Sequence, residues 1–280
     1  MNYKSINIKG ILLPLDEPVI MGILNVTPDS FFSGSRKETE KEIDERIQMI
    51  LSEGGTMIDL GGYSSRPDAS PVNEEEEMRR LSTALELLNR HYPNAIISID
   101  TFRSEIARRC VEEYGAAIIN DISGGQLDDN MFDVIAQLQV PYILMHMRGT
   151  PQTMQQQTEY DDFIGEMLLY FAARVRQLHL AGVNDIILDP GFGFSKTLDQ
   201  NYQLMHHLKE FALLDLPMLV GISRKSMIYK FLETSPEESL NGTTVLNTIA
   251  LLNGANILRV HDVKAAKEAV SIVSKYSNAL

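Results

Sequence analysis

Short runs of consecutive apolar residues alternate along this chain with longer stretches in which apolar residues recur at every third or fourth position. An unbroken apolar run of about four to eight residues marks a strand buried on both faces, and the three-to-four spacing marks a helix with one buried face. On that basis strands are predicted at 19–24, 57–60, 95–100, 116–121, 141–146, 186–189, 216–221 and 256–260. Helices are predicted at 38–53, after Asn73, at 104–114, about 161–180, 243–252 and 263–273. Asn73 with Glu76 has the spacing of a capping box, and the run 74–77 reads as favourable negative charge at a helix N-terminus. Residues 2–18 alternate instead around Lys9-Gly10, which predicts a small hairpin closing one end of the core.

Eight buried strands alternating with helices in one domain imply a (β/α)8 barrel, an α/β TIM barrel with a short N-terminal β-hairpin. A doubly wound sheet would want Gly-x-Gly-x-x-Gly after the first strand, where this chain has Asn25-Val26-Thr27-Pro28. In a barrel all strand ends converge on one mouth, which here gathers Asn25, Asp59, Asp100, Asn120, His146, Asp189, the stretch 223–225, Arg259 and His261. The run Ile186-Ile187-Leu188-Asp189 breaks on Pro190 and two glycines, so Asp189 either faces the mouth or caps the next helix.

Several carboxylates and an Asn opposed by Lys225 suit a flat heterocycle with N–H donors on one edge and acceptors on the other. Arg259 and His261, two residues apart on a strand end, can point the same way and meet an anion such as a phosphate; His261 alone could equally be a stacked or capping histidine. No His-x-x-x-His or Cys cluster suggests zinc, and an oxygen ligand such as Asn25 near phosphate fits Mg2+ better.

Composition narrows the partners. A net charge of −13 disfavours nucleic acid, and 44% hydrophobic with 22% charged residues is the make-up of a soluble globular protein. No apolar run approaches the roughly 20 residues that cross a bilayer, and residues 1–5 do not form a signal-peptide core, so a cytoplasmic location is expected. The single cysteine, Cys110, falls on a helical apolar spacing and reads as a core residue.

Six stretches in order carry a resemblance: Met21-Gly22-Ile23-Leu24-Asn25-Val26-Thr27-Pro28-Asp29-Ser30-Phe31, Ser98-Ile99-Asp100-Thr101, Ile119-Asn120-Asp121-Ile122-Ser123-Gly124-Gly125, Leu188-Asp189-Pro190-Gly191-Phe192-Gly193-Phe194, Gly221-Ile222-Ser223-Arg224-Lys225-Ser226 and Arg259-Val260-His261-Asp262-Val263. Together they closely resemble the dihydropteroate synthase family over about residues 19–270. The resemblance implies condensation of 6-hydroxymethyl-7,8-dihydropterin pyrophosphate with 4-aminobenzoate, through loss of pyrophosphate and a pterin cation, with Mg2+ and a homodimer. It implies Asp100, Asn120, Asp189 and Lys225 as the pterin site, with Asp100, Asp189 and Lys225 carrying the chemistry. Asn25, Ser65, Arg66, Arg259 and His261 are implied for the pyrophosphate, with Asn25 on the metal, and Phe31, Pro67, Phe194 and Ser223 for aminobenzoate.

Three departures from the family pattern stand out. Tyr63 replaces a usual Glu and Asp68 a usual Gly in the second loop; the first loop reads Phe31-Phe32-Ser33-Gly34-Ser35; and Ser195 stands where Gly is usual. Two rival readings follow from the same residues. A pterin-binding corrinoid methyltransferase would not need Arg259 and His261 as an anion site, and a catalytically lapsed barrel serving as a binding protein would not need the mouth residues intact.

Overall fold

In the computed structural model residues 4–27, 36–64 and 72–279 are described. Strands β1 (Ser5–Ile8) and β2 (Ile11–Pro14) form the predicted antiparallel hairpin, with Ser5 opposite Pro14 and Ile8 opposite Ile11. Lys9 and Gly10 both have positive φ, 52° and 87°, the two-residue turn whose twist matches that of its strands.

The eight predicted barrel strands are β3 (Val19–Asn25), β4 (Met57–Gly61), β5 (Ile96–Asp100), β6 (Ile118–Asp121), β7 (Tyr142–Met145), β8 (Ile186–Asp189), β9 (Leu219–Val220) and β10 (Ile257–Val260). They are parallel, in the order β8-β7-β6-β5-β4-β3-β10-β9. An isolated parallel bridge, Leu188 to Met218, joins the two ends, with the Leu188 amide donating to Pro217 O at 2.8 Å. The run 216–221 was expected as one strand, but only Leu219–Val220 pairs fully, since Pro217 has no N–H to give a ladder.

The helices are α1 (Arg36–Ser52), α2 (Glu74–His91), α3 (Ser104–Tyr114), α4 (Met131–Leu138), α5 (Phe163–Ala181), α6 (Leu198–His206), α7 (Ser226–Tyr229), α8 (Leu240–Leu252) and α9 (Val263–Ser277). The short α4, α6 and α7 were given no range by the apolar spacing. Asn73 does cap α2, its side chain accepting the Glu76 amide at 2.9 Å. The Glu76 carboxylate, however, turns to Arg79 and Arg80 at 2.6 and 2.8 Å, and Glu77 turns inward to Thr101 and Arg103. Only Glu74 and Glu75 are left with the simple helix-end role expected for all four.

Side-chain alternation divides each barrel strand between two cores. Outward residues such as Leu24, Leu60, Ile99, Leu144 and Leu188 pack with the inner faces of the helices. The approach is close: a Cβ on Gly22 of β3 would lie 2.5 Å from Ile50 Cγ2 of α1, so only glycine fits there. Inward residues Met21, Met57, Ile118, Ile143, Ile187, Leu219 and Ile257 form a second, wholly apolar core that the hairpin's Ile6, Ile8 and Leu15 plug from below. Cys110 is free and buried in the helix-side core. Among the described residues, no helix is long and apolar enough to cross a membrane.

Candidate active site

Two residues further along the same inward register, about 6.6 Å higher, the apolar lining gives way to polar side chains. Asp59 of β4, fully buried, accepts from Ser98 Oγ at 2.6 Å, Asn120 Nδ2 at 3.0 Å and Arg259 Nε at 2.6 Å. Arg259 Nη2 also donates to Asp100 Oδ2 at 2.7 Å. One guanidinium thus faces two carboxylates. Burial works against its charge, but Asp59 and Asp100 outweigh that and hold Arg259 above its ordinary range. A single positive charge cannot neutralise both partners: burial pushes Asp100 up to about 7 against the pull of Arg259, with the charge of Asp59 adding to the rise. Asp59 was placed at the mouth by the sequence but given no role; the structure makes it the group that orients both Asn120 and Arg259.

The turn after β8 supplies the opposite side. Asp189 is 6% exposed, and its Oδ1 accepts the Gly191 amide at 2.8 Å. It does not cap the next helix, because Thr197 and Gln200 form a capping box on α6. Burial raises the Asp189 carboxyl against the opposing effect of Lys225 and that amide bond. Gly191, at φ 70°, lies against β7: a Cβ there would stand 2.2 Å from His146 O. Lys225 Nζ donates to Phe192 O at 2.6 Å and lies 4.7 Å from the Phe194 ring centroid. Burial brings the Lys225 ammonium down to about 8, against the pull of Asp189. Phe194 joins Ile122, Met145, Met147 and Met154 in a third, small apolar cluster at the mouth.

At the β10 end, His261 Nδ1 lies 3.0 Å from Ser223 Oγ, which also accepts the His261 amide at 3.1 Å. Arg46 of α1 donates to His261 O at 2.7 Å, fixing the strand end from outside. Burial, then the neighbouring Arg259 charge, lowers His261 to about 4, so the ring is neutral at pH 7. Ser223, expected at the aminobenzoate site, is therefore engaged with His261. Asn25 closes β3 with its Oδ1 over Gly61, 3.2 Å from where a Cβ there would lie. The structure thus brings Asp100, Asn120, Asp189, Lys225, Arg259, His261, Phe194, Ser223 and Asn25 to one end of the barrel. Phe31, Ser65, Arg66 and Pro67 lie outside the described residues.

A family model described as pterin binding enzyme matches residues 21–261, most of the chain. The chain belongs to this pterin-binding enzyme family. The dihydropteroate synthase of Escherichia coli strain K12 is 41% identical over 267 residues, covering 95% of this chain and 94% of that one. The Yersinia pestis dihydropteroate synthase, solved with a sulfonamide drug complex, superposes with a TM-score of 0.91 at 38% identity, covering 99% of this chain and 100% of that one. The Xanthomonas albilineans dihydropteroate synthase, solved with 4-aminobenzoic acid, gives 0.90 at 34% identity, covering 99% of each.

Two of the departures from the dihydropteroate synthase pattern have a structural account. Ser195 adopts the left-handed conformation usual for glycine, φ 51°, and its fully buried hydroxyl accepts the Arg148 amide at 2.7 Å and donates to Arg148 O at 3.1 Å. The hydroxyl offsets the backbone strain by pinning the loop after β7. Tyr63 packs edge-on to Phe102, centroids 5.1 Å apart, and its hydroxyl accepts from Gln152 Nε2 at 3.0 Å. It ties the start of the second loop to that same loop after β7. Asp68 and residues 31–35 lie outside the described residues.

Proposed function

We propose that the mouth of this barrel joins 6-hydroxymethyl-7,8-dihydropterin pyrophosphate to 4-aminobenzoate, giving 7,8-dihydropteroate and pyrophosphate on the route to folate. The observation that carries the pterin assignment is the Asn120 carboxamide. Its Nδ2 is committed to Asp59, and its Oδ1 is buried with no partner among the described residues, which leaves a fixed acceptor at the site. A pterin edge presents amino and ring N–H donors that Asn120 Oδ1 and the Asp100 and Asp189 carboxylates would receive, while Lys225 would donate to a ring acceptor.

In the reaction the bond from the pterin methylene carbon to the pyrophosphate oxygen breaks, and its electron pair leaves with the pyrophosphate. Asp100 and Asp189, in an apolar-walled site, would stabilise the cation that remains. The aminobenzoate nitrogen then attacks that carbon and gives up a proton. Arg259 and His261, with Ser65 and Arg66, would meet the pyrophosphate; Phe194 and Ser223, with Phe31 and Pro67, would receive aminobenzoate.

No group of three His, Cys, Asp or Glu side chains converges as a metal site among the described residues. A single carboxamide oxygen, that of Asn25, suits Mg2+ that keeps water and phosphate oxygens as its main ligands. Asn25 would hold the ion brought by the pyrophosphate, where it would supply charge to the departing group.

We further propose a homodimer through α8 and α9, which pack together and leave Val245, Ile249, Leu252, Ile272 and Tyr276 exposed. The free buried Cys110 suits a reducing compartment, and the cytoplasm is the proposed location.

Labelled 4-aminobenzoate incorporated into a pteroate product, with and without Mg2+, tests the activity. Absence of product with both substrates and Mg2+ would remove it. Sedimentation of the wild type and of Ile249→Glu tests the dimer, with a monomer expected only for the variant.

A further inference from the structure

Lys196 lies just beyond the turn after β8, is 3% exposed, and takes no part in the reaction set out above. Its Nζ donates to Gly191 O and to Phe194 O, both at 2.9 Å, and lies 3.1 Å from His146 Nδ1. An ammonium has three N–H donors, and these are three acceptors when His146 is neutral with its proton on Nε2. Burial and then the adjacent Lys196 charge do hold His146 well below its ordinary range. Burial, the largest effect, pushes Lys196 well below its ordinary range against the pull of Asp189, and a complete, fixed set of acceptors is what favours the ammonium form there.

The two carbonyls it holds are the two ends of one tight turn, across which the Phe194 amide donates to Gly191 O at 3.1 Å. Gly191 and Gly193 both have positive φ, so the segment has little conformational preference of its own. Its middle is held at Gly193, whose amide donates to Asn201 Oδ1 at 2.6 Å and whose carbonyl accepts from Gln155 Nε2 at 3.1 Å. The Gly191 amide is held by Asp189, and the carbonyls at both ends are held by Lys196. The turn carries the Phe194 ring and the Phe192 carbonyl on which Lys225 rests.

We infer that Lys196 is a positioning residue: by clamping the Gly191 and Phe194 carbonyls against His146, it sets the Phe194 wall of the aminobenzoate subsite and the height of Lys225. The inference rests on the reading of Phe194 and Lys225 given above. Lys196→Met keeps the apolar stem and removes all three donors. It should raise the aminobenzoate KM about ten-fold, the scale of a small misplacement of a binding wall, and move the alkaline limb of the pH profile. A fall in kcat with both KM values and the limb unchanged would mean a loss of folded enzyme only, and would overturn the inference.

Phe194→Ala run alongside separates the two possible failures. Should Phe194→Ala leave the aminobenzoate KM unchanged, the reading of the subsite falls and takes Lys196 with it. Should Phe194→Ala raise that KM while Lys196→Met does not, the inference about Lys196 falls alone. If Lys196→Met does not fold, His146→Leu removes one acceptor and leaves the lysine in place. It should raise the same KM about three-fold, a smaller version of the same misplacement. An unchanged KM in folded His146→Leu would also overturn the inference.

Discussion

The lower and upper levels of this barrel are built on the same strands, two residues apart, and are held together in opposite ways. Below, Met21, Met57, Ile118, Ile143, Ile187, Leu219 and Ile257 meet the hairpin as apolar surface on apolar surface. Above, Asp59, Asp100 and Arg259 are matched group to group at 2.6 to 2.7 Å. Apolar contact is non-directional and can relax around a lost methyl group. A buried ion cluster cannot, because losing one partner strands the others. The lower level should therefore bear on stability alone, and the upper level on stability and chemistry at once.

Arg259→Ala should separate the levels most strongly. It leaves Asp59 and Asp100 buried without their cation, at a cost of about 3–5 kcal/mol in denaturant melts. With Arg259 read from the sequence as an anion contact, the pyrophosphate-bearing substrate should suffer far more than the bare pterin. The bonds to Asp59 and Asp100 change that expectation: calorimetry should show the bare pterin weakened as well. Ile187→Ala, in the lower level, should cost about 2–5 kcal/mol of stability with both KM values unchanged. A rise in either KM would break the division between the levels.

Asp189→Asn should weaken pterin binding by about 2 kcal/mol, the scale of a charge-assisted bond lost from a buried site, with melting little changed. Near-normal calorimetric affinity would remove Asp189 from the pterin site. The pH dependence should be smaller and runs both ways. Because burial lifts Asp100 to about 7, the folded chain holds a proton there between about 4 and 7 that the unfolded chain does not. This group's contribution to stability is thus fully present below that window and is lost as pH rises through it. With Asp100 acting as a carboxylate, as proposed, activity should fall about ten-fold per unit below 7. A second limb should appear above about 8, where Lys225 loses its proton. Smallest of all, Tyr63→Phe breaks the bond to Gln152 and should change the aminobenzoate affinity by under about 1 kcal/mol.

The sequence made the upper level legible as positions but not as connections. Continuous apolar runs ending in Asp, Asn or Arg identified the strands, and the period-two register put Arg259 and His261 on one face. The motif resemblance then assigned Asp100, Asn120, Asp189 and Lys225. Asp59 escaped because it sits two residues before the end of β4, so its meaning depends on Ser98, Asn120 and Arg259 from three other strands. Glu77 was read with its neighbours as helix-end charge, and only Thr101 and Arg103, brought round by β5, show it to be buried. Lys196 looks like any loop lysine until His146 arrives from β7. Helix α4 was missed because it is short and has no side-chain cap to announce it.

The closure of the barrel through Leu188 and Met218 has a consequence for the rates at which backbone amides exchange with solvent. Between β3 and β4 five consecutive residue pairs are in register, from Met21↔Met57 to Asn25↔Gly61. Between β8 and β9 there is the isolated bridge, so this seam should open at a lower free energy than the rest of the ring. Asp189 stands on one side of the seam and Lys225 on the other. A pterin held by both would lie across the joint like a staple, and deuterium uptake at the Leu188 amide should slow on pterin binding far more than at Leu60.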